Sequence, residues 1–240
     1  MNIVVREWRY AAGQAVWNLQ DDDVHVWHWR HEAAFVTGPD PYLPLSGDER
    51  ARAARYLVDK ARVEFVATRS ALRQILGTYL NAPAESISFR YSERGKPSLD
   101  LNPGIGFNIS HSEGLSVLAI SRGHDIGVDV EWIRADVEAA ALAERFFSPS
   151  ERDRLLRLSE NEIQPAFFRC WTRKEAYIKA RGDGLSLALD SFDVSLEPGV
   201  TSALLRTRPR ATEAQNWIVS DLGLATGYAA ALAWSASRTM

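Results

Sequence analysis

Gly127-Val-Asp129-Val-Glu131 places two acids one residue apart in an apolar, alternating stretch. In an extended strand successive side chains point to opposite faces, so Asp129 and Glu131 share one face and the valines the other. Paired carboxylates can hold a hard cation such as Mg2+ and leave room for phosphate. The same D-x-E also reads as a half-exposed strand whose acids face water. A third carboxylate lies in Phe167-Phe-Arg-Cys-Trp-Thr-Arg-Lys-Glu-Ala-Tyr-Ile-Lys179. Helical spacing sets Phe167, Trp171, Glu175 and Lys179 along one i, i+4 ridge. That ridge runs from the core to a polar site, or it ends in a surface pair worth only ~0.3–0.5 kcal/mol. Upstream, Phe107-Asn-Ile-Ser110-His111-Ser112 follows Arg94-Gly-Lys96-Pro97. A strand tipped by Ser110 and His111, with Lys96 near, offers donors to phosphate oxygens. A polar turn around a satisfied histidine is its plainer reading.

The elements that must position these groups come from an internal repeat. Shifting the chain by about 102 residues lays Val24 on Ile126 and Val26 on Val128, and carries Ser46, Glu49, Arg50 and Phe65 onto Ser148, Glu151, Arg152 and Phe167. One constant offset across a strand and two helices predicts two related halves, 1–122 and 123–240, the second carrying the acids. Trp27 and Trp29 then occupy the places of Asp129 and Glu131. Ser46-Gly-Asp-Glu49 and Ser148-Pro-Ser-Glu151 both read as capping boxes that open helices, and Pro149 suits a first helical position. Strands are expected at 24–30, 87–91, 106–109, 115–120 and 125–134. Further ones are expected at 192–196, 203–208, 217–221 and 228–234, each alternating and bounded by turn residues. Glycines after Lys179 end the second long helix. The fold class is α+β, a pseudo-dimer of two similar α+β halves with a ligand cleft between them.

Across 240 residues, 46% are hydrophobic and 25% charged, the composition of a globular protein with a sizeable core. A formal charge of −3 argues against a nucleic-acid partner. Cys170 is the sole cysteine, which excludes an internal disulfide or a cysteine-based zinc cluster. The start carries no apolar signal core and no run reaches membrane-spanning length, so a cytoplasmic, membrane-free protein is expected. His25, His28 and His31 do not all share a strand face, against a zinc site. The aromatic neighbours of Cys170 mark it as a buried side chain rather than a nucleophile.

Taken together, RGKP (94–97), FNISHS (107–112), GVDVE (127–131) and FFSPSE…WTRKEAYIKARGDG (146–184) resemble, in order and spacing, the surfactin-type 4'-phosphopantetheinyl transferases. The likeness spans roughly residues 45–195. It implies the same pseudo-dimeric fold and transfer of phosphopantetheine from coenzyme A to a serine of an apo carrier protein, with 3',5'-ADP released. It also implies Mg2+ on Asp129, Glu131 and Glu175. Lys96, Ser110 and His111 match positions that hold coenzyme A phosphates. Lys179 matches the lysine that follows the metal-binding glutamate, and Arg52 lies where relatives present a base to the 3'-phosphate. Glu175 is the implied base, and a monomer is expected. Glu151 matches a family acid too, but its capping role accounts for it. A non-catalytic coenzyme A-binding protein is the rival reading; an acyl-CoA transferase would not need three carboxylates.

Overall fold

Valines at alternate positions bury one face of β2 (Asp23–Arg30), and Trp27 and Trp29 bury the other. In the computed structural model, which describes residues 2–9, 17–36, 40–93, 95–101, 104–182, 184, 187–208 and 210–237, β2 lies inside a four-stranded sheet. The sheet's other strands are β1 (Asn2–Glu7), β5 (Ile105–Ser112) and β6 (Leu115–Arg122), in the order β1-β2-β6-β5. The β2–β6 and β5–β6 pairs are antiparallel, whereas β1 joins β2 in parallel. β7 (Ile126–Trp132), β10 (Trp217–Asp221) and β11 (Tyr228–Ser235) form an antiparallel sheet in the order β10-β11-β7.

A long helix covers the outer face of each sheet. α3 (Asp59–Leu80) seals Trp27, Trp29, Phe107 and Ile120 under Ala67, Leu72 and Ile75. α6 (Glu160–Arg181) lies against Ala231 and Ala233 in the same way. The inner faces meet each other: Val24, Val26 and Val117 of the first sheet share a buried cluster with Val128, Val130 and Leu232 of the second. Through the molecule the order is therefore helix, sheet, sheet, helix. Shorter elements complete it: α1 (Ala33–Val36), α4 (Ala139–Phe146), and the strand pairs β3 (Phe89–Tyr91) with β4 (Pro97–Leu99) and β8 (Phe192–Val194) with β9 (Leu204–Thr207).

The repeat is real but not uniform. α2 (Gly47–Ala53) and α5 (Pro149–Leu155) stand 102 residues apart, while α3 at 59–80 and α6 at 160–181 stand 101 apart. The single offset expected from the sequence fails at the second helix, because the connection before α6 is one residue shorter. Phe65 therefore corresponds to Ala166, and Gln74 to Glu175. Both capping glutamates reach back to their serines, Ser46 N donating to Glu49 at 3.1 Å and Ser148 N to Glu151 at 2.9 Å. The two long helices end in the left-handed region, at Asn81 (φ 49°) and Gly182 (φ 76°).

Candidate active site

β5 and β7 are the outer strands of their sheets, and they abut without pairing through their backbones. Alternate β5 side chains span the gap. Val128 N donates to Asn108 Oδ1 (2.9 Å), Ser110 Oγ donates to Asp129 Oδ1 (2.8 Å) and Ser112 Oγ to Glu131 Oε2 (2.9 Å). Period-2 geometry lines these three side chains on one face of β5.

α6 delivers the remaining groups because Gly127 has no side chain. A Cβ there would run into the carbonyl of Ala176 and the backbone of Ala180, so only glycine lets helix and strand approach this closely. The approach brings Lys179 Nζ to 2.6 Å from Asp129 Oδ1 and 3.0 Å from Ser110 Oγ. From the first half, Lys96 Nζ donates to the carbonyl of Lys179 (2.5 Å). Lys96 also lines a recess of about 600 Å³ with Ser92, Phe107, His124 and Asp125. Glu175 is half-buried one turn before Lys179, within the field of Asp129 and Glu131. His111, the next residue along β5 from Ser110, is exposed, its ring centroid 6.2 Å from that of His31. Arg52 stands apart: its guanidinium lies over the Phe65 ring at 5.0 Å, and among the described residues no hydrogen bond ties it to this cluster. Arg94 and Asp183, which belong to the sequence motifs, lie outside the described residues.

Known families match both halves. A model described as the 4'-phosphopantetheinyl transferase superfamily matches residues 125–233, and one described as 4'-phosphopantetheinyl transferase, N-terminal, matches residues 42–123. The chain is similar to the 4'-phosphopantetheinyl transferase HetI of Nostoc, 39% identical over 194 residues that cover 80% of this chain and 81% of that protein. It is also similar to the transferase Sfp of Bacillus subtilis, at 34% over 165 residues covering 64% and 72%. The transferase gsp of Aneurinibacillus migulanus is 40% identical over 143 residues, covering 55% and 58%. The chain belongs to the 4'-phosphopantetheinyl transferase superfamily. It is a 4'-phosphopantetheinyl transferase, which modifies carrier proteins with phosphopantetheine.

The electrostatics of the transferase's cleft follow from crowding. Burial, and then the charge of Asp129, raises the pKa of Glu175, with Lys179 opposing. Glu131 is raised for the same two reasons, and its bond from Ser112 works the other way. Burial lowers the pKa of Lys96 against the pull of Asp125. His111 is lowered by the protein packed around it, with Lys179 adding to this and Glu64 resisting.

The three carboxylates are neighbours without being gathered on one point; among the described residues no set of three metal-binding side chains forms a finished cage. They nevertheless fit a hard cation. All donors are oxygens, Asp129 Oδ2 is buried with no hydrogen-bond partner, and Glu131 and Glu175 each feel the repulsion of Asp129. Lys179 pairs with Oδ1 of Asp129 and leaves Oδ2 without a partner.

Sequence reasoning passed over Ser112, Asn108 and Gly127 as site residues. The period-2 spacing of Asn108, Ser110 and Ser112 was the available signal for the first two. For Gly127 there was none, since a glycine's use depends on what approaches it. The other cleared candidates behave as expected. Cys170 is buried in the α6 core, and burial raises its thiol pKa further. His25 bonds Tyr79 and His31 bonds Ser116, so the histidines serve separate partners.

Proposed function

We propose that the transferase works at the β5–β7–α6 junction, with Asp129, Glu131 and Glu175 as the ligands of Mg2+ and coenzyme A as the donor. The observation that carries this is the convergence of a buried, half-satisfied Asp129 with Glu131, Lys179 and Lys96 where the two halves meet. When bound, the cation supplies charge neutralisation for the diphosphate oxygens.

The chain's own residues do the rest. Positioning and charge compensation dominate phosphoryl transfer. The carrier serine Oγ attacks the phosphorus that bears pantetheine, the bond to the bridging oxygen breaks, and 3',5'-ADP leaves. Glu175 takes the serine proton; its raised pKa moves it towards the range in which a carboxylate is an effective base at neutral pH. Lys179, already beside Asp129, turns to the leaving phosphate. Lys96, Ser110 and His111 orient coenzyme A, with the recess beside Lys96 supplying room for its nucleotide end. Arg52 serves the 3'-phosphate in this reading, supported by its exposed guanidinium alone.

Division into halves 1–122 and 123–240 is supported by the sheets, each built from strands of one side. Both walls of the cleft come from one chain, which supports a functional monomer. Apo acyl, peptidyl or aryl carrier proteins are the proposed partners. The buried, unpaired Cys170 is in keeping with a reducing cytoplasm. The test is incubation with coenzyme A, Mg2+ and a panel of apo carriers, read by intact mass. Gain of one phosphopantetheine per carrier, lost on chelation and restored by Mg2+, is expected. Full transfer by thoroughly chelated enzyme would remove the carboxylate cluster from the metal role.

A further inference from the structure

Glu131 differs from Asp129 in how it is held. Asp129 has Ser110 and Lys179 on one oxygen. Glu131 has among the described residues one hydrogen-bond partner, the hydroxyl of Ser112 at 2.9 Å. That hydroxyl is itself fixed, because Ser112 Oγ accepts from the backbone N–H of Trp132 at 3.1 Å. A serine hydroxyl has one proton and two lone pairs. With the Trp132 N–H directed at a lone pair, the proton is left for the carboxylate. Ser112 thus ties the Glu131 side chain to the backbone one residue beyond it, across the seam between the halves.

We infer that Ser112 is a positioning residue of the transfer reaction: it holds the Glu131 carboxylate in the orientation in which it can act with Asp129. A half-buried glutamate has three rotatable torsions, and ordering them without a partner costs conformational entropy. Groups hydrogen-bonded to metal-ligating carboxylates orient them, and removing such a partner weakens metal affinity or activity by about 10–100-fold.

The inference rests on the Mg2+ reading above, and the experiment separates the two. Ser112→Ala and Ser112→Thr are compared with the parent in three measurements: thermal melting, calorimetric titration of Mg2+ into the enzyme–coenzyme A complex, and transfer rate against Mg2+ concentration. Ser112→Ala should melt like the parent and bind Mg2+ about ten-fold more weakly. Its transfer should be recovered largely by raising Mg2+, while KM for coenzyme A stays near the parental value. Ser112→Thr keeps the hydroxyl and should restore Mg2+ affinity. If the parent binds Mg2+ and Ser112→Ala binds it equally well, Ser112 has no positioning role although the metal reading stands. If alanine and threonine weaken binding alike, strand packing rather than the hydroxyl is responsible and the inference fails. If the parent itself shows no Mg2+ binding or dependence, both readings fall.

Discussion

The two halves share one frame and differ at the four places where chemistry could be done. In each half the capping-box glutamate, on α2 or α5, is buried and paired with a cation from the long helix, which also bonds two carbonyls of the segment that follows that helix. Arg73 bonds Glu49 at 2.5 Å and the carbonyls of Ala84 and Ile87 at 3.1 and 2.8 Å. Lys174 bonds Glu151 at 2.8 Å and the carbonyls of Leu189 and Phe192, both at 2.7 Å. The strut recurs with one difference: Glu49 is also paired with Arg69, where the second half has Cys170. Over it, the first half carries Trp27, Trp29, Gln74 and Thr78, where the second carries Asp129, Glu131, Glu175 and Lys179. The strand–helix contact diverges with them. His25 and Tyr79 bond each other at 2.6 Å where the second half has Gly127 and Ala180. Bulk keeps α3 and β2 apart as a packed wall; its removal lets α6 press onto β7 and set a lysine on an aspartate. A stable scaffold and a reactive face are thus controlled by different positions.

The strongest way to break this comparison is to attack the struts. Lys174→Met leaves the buried Glu151 without a cation and should cost about 3–5 kcal/mol in urea-induced unfolding, whereas Arg73→Met leaves Glu49 paired with Arg69 and should cost less. The larger loss is expected in the second half. Tolerance of Lys174→Met with loss only of transfer would move Lys174 from the frame to the reactive face.

Next in size is Glu175→Gln against Gln74→Ala. The first should lower single-turnover transfer by at least ~10²-fold while the protein stays folded. The second, at the matching place in the wall, should change stability by no more than about 0.5 kcal/mol and leave transfer near the parental rate. Equal effects would mean that the divergence between the halves is not functional.

Gly127→Ala should cost about 1–3 kcal/mol, because its methyl has only backbone to displace. Transfer should fall beyond what the melting temperature accounts for, since α6 must back away with Lys179. A variant of unchanged stability and activity would show that the close approach is dispensable.

The smallest effect concerns pH. Glu131 and Glu175 have raised pKa values in the folded state, so the native protein holds protons that the unfolded chain has released. Stability from these two groups therefore falls as pH rises from the ordinary glutamate value through the raised one. Glu175→Gln removes part of that burden and should melt slightly higher than the parent at neutral pH, with the difference shrinking in acid. His31 works in the opposite sense. Burial, helped by His111 and Arg30, lowers it to about 4, so its penalty accrues as pH falls below about 6.5 and is complete below about 4.

Much of this frame was legible from the chain alone. Capping serines three residues before glutamates, valines alternating with acids, and a near-constant spacing between halves are local signals, and local rules decode them. β1 was missed: its side chains are largely exposed, and its parallel pairing with β2 leaves no hairpin signature. The one-residue slip between α3 and α6 was hidden because Phe65 and Phe167 align at the wrong shift. The contacts that make the site, Ser112 to Glu131 and Lys96 to Lys179, join segments that only the packing of two sheets brings together. Periodicity identified the face of each strand but could not show what would meet it.

The Lys179–Asp129 pair has a consequence for how an anion enters the cleft. Lys179 and Lys96 have already exchanged hydration for protein oxygens: a carboxylate and a hydroxyl for one, a helix carbonyl for the other. On the proposed function, an arriving phosphate would swap partners with groups that are partly dehydrated and aimed, instead of stripping water from two free ammonium ions. The swap would also leave the Asp129 charge without Lys179 to compensate it, with Ser110 still donating to Oδ1. On the proposed function, anion capture and the release of Asp129 from Lys179 are one coupled displacement.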